Sequence, residues 1–282
     1  MYIDKNGVIH KDDSSQDRLL KTVYSNVVLR ILMKPLTIPI VSAVAGKALE
    51  SGLSRAFIKP FIKANKIDMR DFEKREFKSF NDFFKRRVKD GARSVSKARV
   101  ISPSDGRVSV YDINDDSVFK VKGSRYSLFS LTRSSFIAKR FCGGKAVIIR
   151  LCPQDYHRYC YSVSGRKSIN IRIPGFLNTV NPAAYDNVKV FCENTREYCL
   201  INNCRTCVLQ MEVGALMVGR ISNNKGISAC VKKGEEKGYF EFGGSTIILL
   251  LQKGVRVKRS FIENTQLGLE TLIKQGEAIT ED

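Results

Sequence analysis

Tryptophan is absent from these 282 residues, histidine occurs only twice (His10 and His157), and acidic residues are scarce beside basic ones. Two imidazoles give little material for a histidine-built metal centre. Long apolar runs are missing as well. A membrane span requires roughly 18 or more apolar residues. The longest candidate here, Pro35 to Gly46, has 12, contains a second proline and is flanked by Lys34 and Lys47. The first 20 residues carry Asp4, Asp12, Asp13 and Asp17 with no apolar core, so no secretory signal is expected. A reducing compartment follows, and the eight cysteines read as thiols rather than a disulfide framework. Cys204-Arg-Thr-Cys207 has metal or redox spacing, but no second pair accompanies it, so buried or turn thiols and no metal are expected.

What is present is an ordinary globular balance, 43% apolar and 27% charged, which excludes disorder and fibrous repeats. The length suits one large domain or two small ones. Lys plus Arg number 48 against 28 Asp plus Glu, a formal charge of +20 that favours an anionic partner. That charge is uneven: residues 18–66 hold nine basic residues and one acidic residue. Among them Leu19, Leu20, Val23, Val27, Val28, Ile31 and Leu32 follow helical spacing. A second stripe pairs Leu53, Phe57, Phe61 and Ile62 with Arg55, Lys59, Lys63 and Lys66. Such a helix lies on an anionic bilayer, or packs its apolar face on its own domain and turns the basic face to water; the pattern fits both. A third helix is expected from Ser79 to Val88, capped by Ser79 and ending in Lys85-Arg86-Arg87, where positive charge suits the dipole. Past residue 95 the texture becomes β-branched runs between glycine-bearing turns: 108–111, 145–151, 168–173, 207–213 and 245–251. The expected fold class is therefore α+β. A basic, helical, membrane-association third (1–95) precedes a predominantly antiparallel β catalytic domain (96–282).

Three segments carry candidate chemistry. Gly243-Gly244-Ser245-Thr246 leads into the apolar run 247–251; two glycines allow backbone geometries closed to other residues beside a serine. The ordinary reading is a turn before a core strand. The hydrolase elbow G-x-S-x-G is not formed, since Ile247 holds its last position. His157 sits in Cys152-Pro-Gln-Asp-Tyr-His-Arg-Tyr-Cys160, and a lone histidine is commonly structural. Asp105 lies in Ser102-Pro-Ser-Asp-Gly-Arg107, an Asp-Gly turn before a strand.

Taken in order, these segments resemble the signature segments of phosphatidylserine decarboxylases, pyruvoyl-dependent enzymes that make phosphatidylethanolamine. Phe80-Asn81-Asp82-Phe83-Phe84 followed by Arg86 is similar to the family's helix before the catalytic domain. Lys122-Gly123 with Tyr126-Ser127-Leu128, Val180-Asn181-Pro182, Asn194 with Arg196, and Val213-Gly214-Ala215 with Val218-Gly219 continue in family order. The likeness spans about residues 75 to 255.

The resemblance implies self-cleavage at Gly244-Ser245. The Ser245 hydroxyl attacks the Gly244 carbonyl and the acyl group moves from nitrogen to oxygen. β-Elimination of the ester then leaves dehydroalanine, and hydrolysis of that enamine releases ammonia and leaves a pyruvoyl group at residue 245. Residues 1–244 become the larger chain and 245–282 the smaller. An Asp-His-Ser arrangement is implied, with Asp105 orienting an imidazole that activates Ser245. Many family members carry His-Arg-x-His, whereas this chain has His157 at the first place and Cys160 at the second. His157 is the preferred base and Cys160 the alternative. The pyruvoyl carbonyl would form a Schiff base with phosphatidylserine, accept the electron pair as carbon dioxide leaves, and return phosphatidylethanolamine. The implied setting is peripheral, on the cytoplasmic face of the anionic cell membrane. A homodimer stays open as an arrangement, and nucleic acid is not an expected partner. The rivals are a decarboxylase of a different serine phospholipid and a non-enzymatic basic lipid- or nucleic-acid-binding protein.

Overall fold

The protein is described by a computed structural model over residues 1–11, 22–26, 29, 34–73, 75–121, 123–185, 188–215, 220–243 and 245–282. In chain order its strands are β1 (Tyr2–Ile3), β2 (Ile9–His10), β3 (Gly106–Asp112), β4 (Val118–Val121), β5 (Ser124–Ser127), β6 (Lys145–Leu151), β7 (Arg158–Cys160) and β8 (Gly165–Lys167). They continue as β9 (Ile171–Ile173), β10 (Arg196–Asn202), β11 (Cys207–Gly214), β12 (Ile221–Asn223), β13 (Ala229–Val231), β14 (Glu236–Phe240), β15 (Ser245–Leu251) and β16 (Glu270–Ile273). The helices are α1 (Pro39–Glu50), α2 (Ile58–Ala64), α3 (Phe80–Phe84), α4 (Leu128–Thr132), α5 (Ser135–Arg140), α6 (Val190–Glu193) and α7 (Arg259–Gln266).

The uncharged run of β15 can only be buried, and it lies inside the main sheet with β11 on one side and β6 on the other, antiparallel to both. Side chains alternate between faces along a strand. Ile247, Leu249 and Leu251 enter one core and Ile248 and Leu250 the other. The sheet order is β13-β8-β10-β11-β15-β6-β3-β16-β1-β2, with β9 added against β10. A three-stranded sheet, β12-β14-β7, covers the first face and contributes Tyr159 and Phe240 to that core. The second face is covered by α4, α5, α6 and the β4–β5 hairpin through Phe119, Leu128, Ile137 and Phe191.

The β-rich part agrees with expectation, except that the 168–173 run forms a strand only at its end. The first third differs more. Tyr2–Ile3 pairs parallel with β16, adding strand where helix was expected. The stripe at Leu19, Leu20, Val27, Val28, Ile31 and Leu32 lies outside the described residues; of its members Val23 packs against the second core. The second stripe divides. Leu53 and Phe57 are exposed on a 3-10 turn (Gly52–Phe57), whereas Phe61 and Ile62 pack with Phe80, Phe83 and Phe84. Phe61 and Ile62 thus follow the packed reading of the amphipathic pattern, while Leu53 and Phe57 are left uncovered by the protein. Ser79 caps α3 as expected, accepting from the Asp82 N–H at 3.1 Å. The helix stops at Phe84 rather than Val88, and Arg86, beyond its end, turns inward and is buried.

The small sheet is joined to the large one by buried polar groups. Lys237 Nζ pairs with Glu212 and donates to Asn223 Oδ1 at 2.9 Å; both members of the ion pair are fully buried. Gln210 donates to the Cys160 carbonyl at 3.0 Å and accepts from the Ser162 N–H. Removing one partner of a buried pair strands a charge, at about 3–5 kcal/mol. Lys237→Met in an uncut Ser245→Ala background is therefore expected to lose about that much stability in urea titrations. Lys237→Met with Glu212→Leu should recover a large part of it.

Candidate active site

Ser245 is the first residue of β15, opposite Leu151 of β6 and Gly214 of β11. Strand alternation puts its side chain on the face covered by the small sheet, and it has no exposed surface. Gly243, two residues earlier, has φ +140°, a conformation that favours glycine. Gly244, the expected acyl donor, lies outside the described residues.

His157 reaches Ser245 through the turn between β6 and β7. Within that turn the Asp155 N–H donates to the Cys152 carbonyl at 2.9 Å, and the Cys152 N–H donates to Asp155 Oδ2 at 2.7 Å. The His157 carbonyl accepts from the Phe240 N–H at 2.9 Å, tying the turn to the strand that leads toward residue 245. The ring is equally fixed. Nε2 lies 3.0 Å from the Cys152 carbonyl oxygen and Nδ1 lies 3.3 Å from Ser245 Oγ. A carbonyl only accepts, so Nε2 carries the proton and the Nδ1 lone pair faces the serine hydroxyl. Phe84 lies against the imidazole, with ring centroids 4.1 Å apart.

Burial, and after it the nearby Arg86 guanidinium, lower the His157 pKa to about 3. The ring is therefore neutral at physiological pH, as a proton acceptor must be. Cys160 is also buried, but its Sγ points at the Ser102 carbonyl, 3.9 Å away, and burial pushes its thiol up to about 12. A thiol so placed stays protonated at neutral pH.

Asp105 is near enough to act on the charge of His157, but its hydrogen bonds go to other partners. Its carboxylate takes Arg93 Nε at 3.2 Å and the Gln275 N–H at 2.8 Å on one oxygen. The other oxygen takes Arg93 Nη2 at 2.9 Å and Lys274 Nζ at 3.1 Å. Burial works to raise its pKa, but Lys274 and Arg93 outweigh it and hold the carboxyl below its usual range. With its oxygens engaged and His157 Nε2 bound to Cys152, the orienting contact expected of Asp105 is made by a backbone carbonyl instead. Gly106 explains the Asp-Gly turn: a Cβ there would meet the Arg150 carbonyl oxygen at 2.7 Å. Sequence reading could not find the Cys152 carbonyl or the Phe84 face, since a main-chain acceptor has no residue signature. The Cys204-x-x-Cys207 pair is split, Cys204 exposed and Cys207 buried in the core.

The His157 environment has a measurable consequence. The unfolded chain binds a proton at this residue below about pH 6.5, while the folded chain binds it only near pH 3. Stability is thus lost as pH falls from 6.5, by about 2 kcal/mol at pH 5 from this group. Urea titrations of Ser245→Ala at pH 7.5 and pH 5 should show that loss, and adding His157→Gln should remove it.

Comparison of the sequence with known proteins identifies the family. The phosphatidylserine decarboxylase family profile matches residues 80–281. The phosphatidylserine decarboxylase proenzyme 2 of Clostridium acetobutylicum is 38% identical over 278 residues, covering 97% of this chain and 95% of that protein. The phosphatidylserine decarboxylase proenzyme of Clostridium perfringens is 43% identical over 246 residues, 84% of each chain. That of Fusobacterium nucleatum is 40% identical over 240 residues, 82% of this chain and 80% of its own. Matched along nearly its whole length, this chain belongs to the phosphatidylserine decarboxylase family.

Proposed function

We propose that the protein is a self-processing phosphatidylserine decarboxylase, cut between Gly244 and Ser245, in which His157 activates Ser245. The observation that carries this reading is the 3.3 Å approach of Ser245 Oγ to the unprotonated Nδ1 of a buried, neutral imidazole. In processing, Nδ1 takes the hydroxyl proton as Oγ attacks the Gly244 carbonyl carbon. The Cys152 carbonyl stabilises the imidazolium through Nε2–H, the part usually played by a carboxylate. A base held near pKa 3 drives proton transfer weakly, which suits a reaction each chain performs once. Cys160, protonated and directed at Ser102, is left without a role in proton transfer. Asp105 serves by fixing Lys274 and Gln275 of the smaller chain against Arg93 of the larger one.

The residues fit a pyruvoyl group made from Ser245: the hydroxyl, its base and a glycine-bearing approach meet in a site closed to water. That group supplies an electron-withdrawing carbonyl for loss of carbon dioxide from the serine headgroup. His157, beside residue 245, is positioned to move a proton there, and Phe84 holds its ring in place. The curated relatives are named proenzymes, which supports processing into chains 1–244 and 245–282. β15 stays paired with β6 and β11, and β16 with β3, so the smaller chain remains embedded in the larger after cleavage.

The helices before residue 95 form the membrane-association part, and residues 96–282 the catalytic part to which β1 and β2 add. No helix among the described residues is long and apolar enough to cross a membrane. Leu53 and Phe57 stand 88% and 62% exposed among exposed Arg55, Lys59 and Lys63, a surface suited to peripheral contact with an anionic lipid layer on the cytoplasmic side.

Intact mass tests the processing. Wild type should yield two chains, the smaller beginning with a pyruvoyl group, and release carbon dioxide from phosphatidylserine. Ser245→Ala should remain one inactive chain. His157→Ala should slow cleavage by about a hundred-fold or more, and Cys160→Ala should cleave normally. Cleavage in Ser245→Ala, or a block confined to Cys160→Ala, would overturn the assignment. For the membrane surface, Leu53→Asp with Phe57→Asp should weaken co-sedimentation with phosphatidylserine vesicles by roughly ten-fold or more. Equal pelleting would remove that surface from consideration.

A further inference from the structure

Arg86, which the sequence places in the basic last turn expected of the third helix, is 1% exposed. Its guanidinium carbon lies 4.5 Å from the ring centroid of Phe72 and 5.0 Å from that of Phe83. Nη2 donates to the carbonyls of Gln154 and Asp155 at 2.9 and 3.0 Å. Nε and Nη1 are buried without a hydrogen-bond partner among the described residues. A buried cation with two unused donors is costly, and neutral glutamine or methionine would fill the space at less expense in desolvation. Stability alone therefore gives no reason for arginine here. Its two carbonyl acceptors do, because they belong to the turn that ends in His157.

We propose that Arg86 is a positioning residue for His157, clamping the 152–157 turn so that Nδ1 meets Ser245 and placing a fixed positive charge beside the imidazole. The clamp acts on geometry. Gln154 and Asp155 lie between Cys152, whose carbonyl holds Nε2–H, and His157 itself, so fixing their carbonyls fixes both ends of the ring's support. Phe84, two residues before Arg86, lies on the imidazole face, and one short segment thus holds the ring and its turn together. The charge acts on proton affinity. The charged groups acting on His157 are Arg86 after α3 and Asp105 from the turn before β3, while the Asp155 carboxyl of its own turn takes the Cys152 N–H. Arg93 and Lys274 neutralise Asp105, and the Asp155 carboxyl is pushed up by burial. Arg86 is left as the dominant field, and it opposes a second positive charge on the ring in line with the lowered His157 pKa.

The inference rests on the processing role given to His157 above, and one experiment separates the two. Freshly translated chains would be followed for self-cleavage between about pH 3 and pH 9, with folding checked by circular dichroism. Wild type should cleave at a near-constant rate down to about pH 5. Arg86→Met, or Arg86→Gln if the former does not fold, should be slowed about ten-fold or more near neutrality. Its acid limb should also move to higher pH by about one unit, since loss of the cation makes the imidazole easier to protonate. Arg86→Lys keeps the charge and loses the fork, so it should be slower with its limb unmoved; a displaced limb in this variant would contradict the charge argument on its own. A neutral variant that is slow with an unmoved limb would reduce Arg86 to a packing role, and unchanged rates would dismiss it altogether. If His157→Ala cleaves like wild type, the processing role itself fails. If His157→Ala is blocked while the Arg86 variants behave as wild type, only the present inference fails.

Discussion

The hydrogen bond between Ser245 and a neutral imidazole, made where water does not reach, is the contact on which the remaining architecture depends. An isolated serine hydroxyl is a poor nucleophile, and a histidine in water is partly protonated near neutrality. Burial changes the second condition by making the imidazolium unfavourable. It also demands that each ring nitrogen have a partner. Nε2 has the Cys152 carbonyl, and Nδ1 is left for Ser245. The strand carrying the serine lies inside the large sheet, the histidine turn is pinned to the small sheet at Phe240, and the two sheets close over both residues.

Positive charge has two separate uses in this chain. Around Leu53 and Phe57 it is exposed, where it can meet an anionic surface. Elsewhere it is internal: Lys237 joins the sheets through Glu212, Arg93 closes on Asp105 with the half-exposed Lys274 beside it, and Arg86 grips the turn of His157. The net charge of the chain is therefore not all offered to a partner. Buried cations of this kind are retained against their desolvation cost where they fix a geometry.

Asp105 illustrates how a residue can keep its place in a pattern while its contacts differ. It draws the segment after β16 onto the turn before β3, joining what would become the two chains. That link, with the β15 and β16 ladders, means a cut at residue 244 severs a peptide bond without freeing a fragment. A new terminus at residue 245 would stay beside His157 because its strand is held from both sides.

The sequence by itself determined the strand at 245–251, since seven uncharged residues have no stable place but a core, and the ordered motifs that led to Asp105, His157 and Ser245. It also determined the cap at Ser79, because that cap is a local hydrogen bond. Only the tertiary structure decided which partner each polar group takes. The imidazole is oriented by a main-chain carbonyl, which no side chain announces; Arg86 goes inward because two distant carbonyls await it; Phe61 packs on Phe80 while Phe57 faces solvent. Periodicity reports that a residue has an apolar side, but what covers that side is settled by elements far away in the chain.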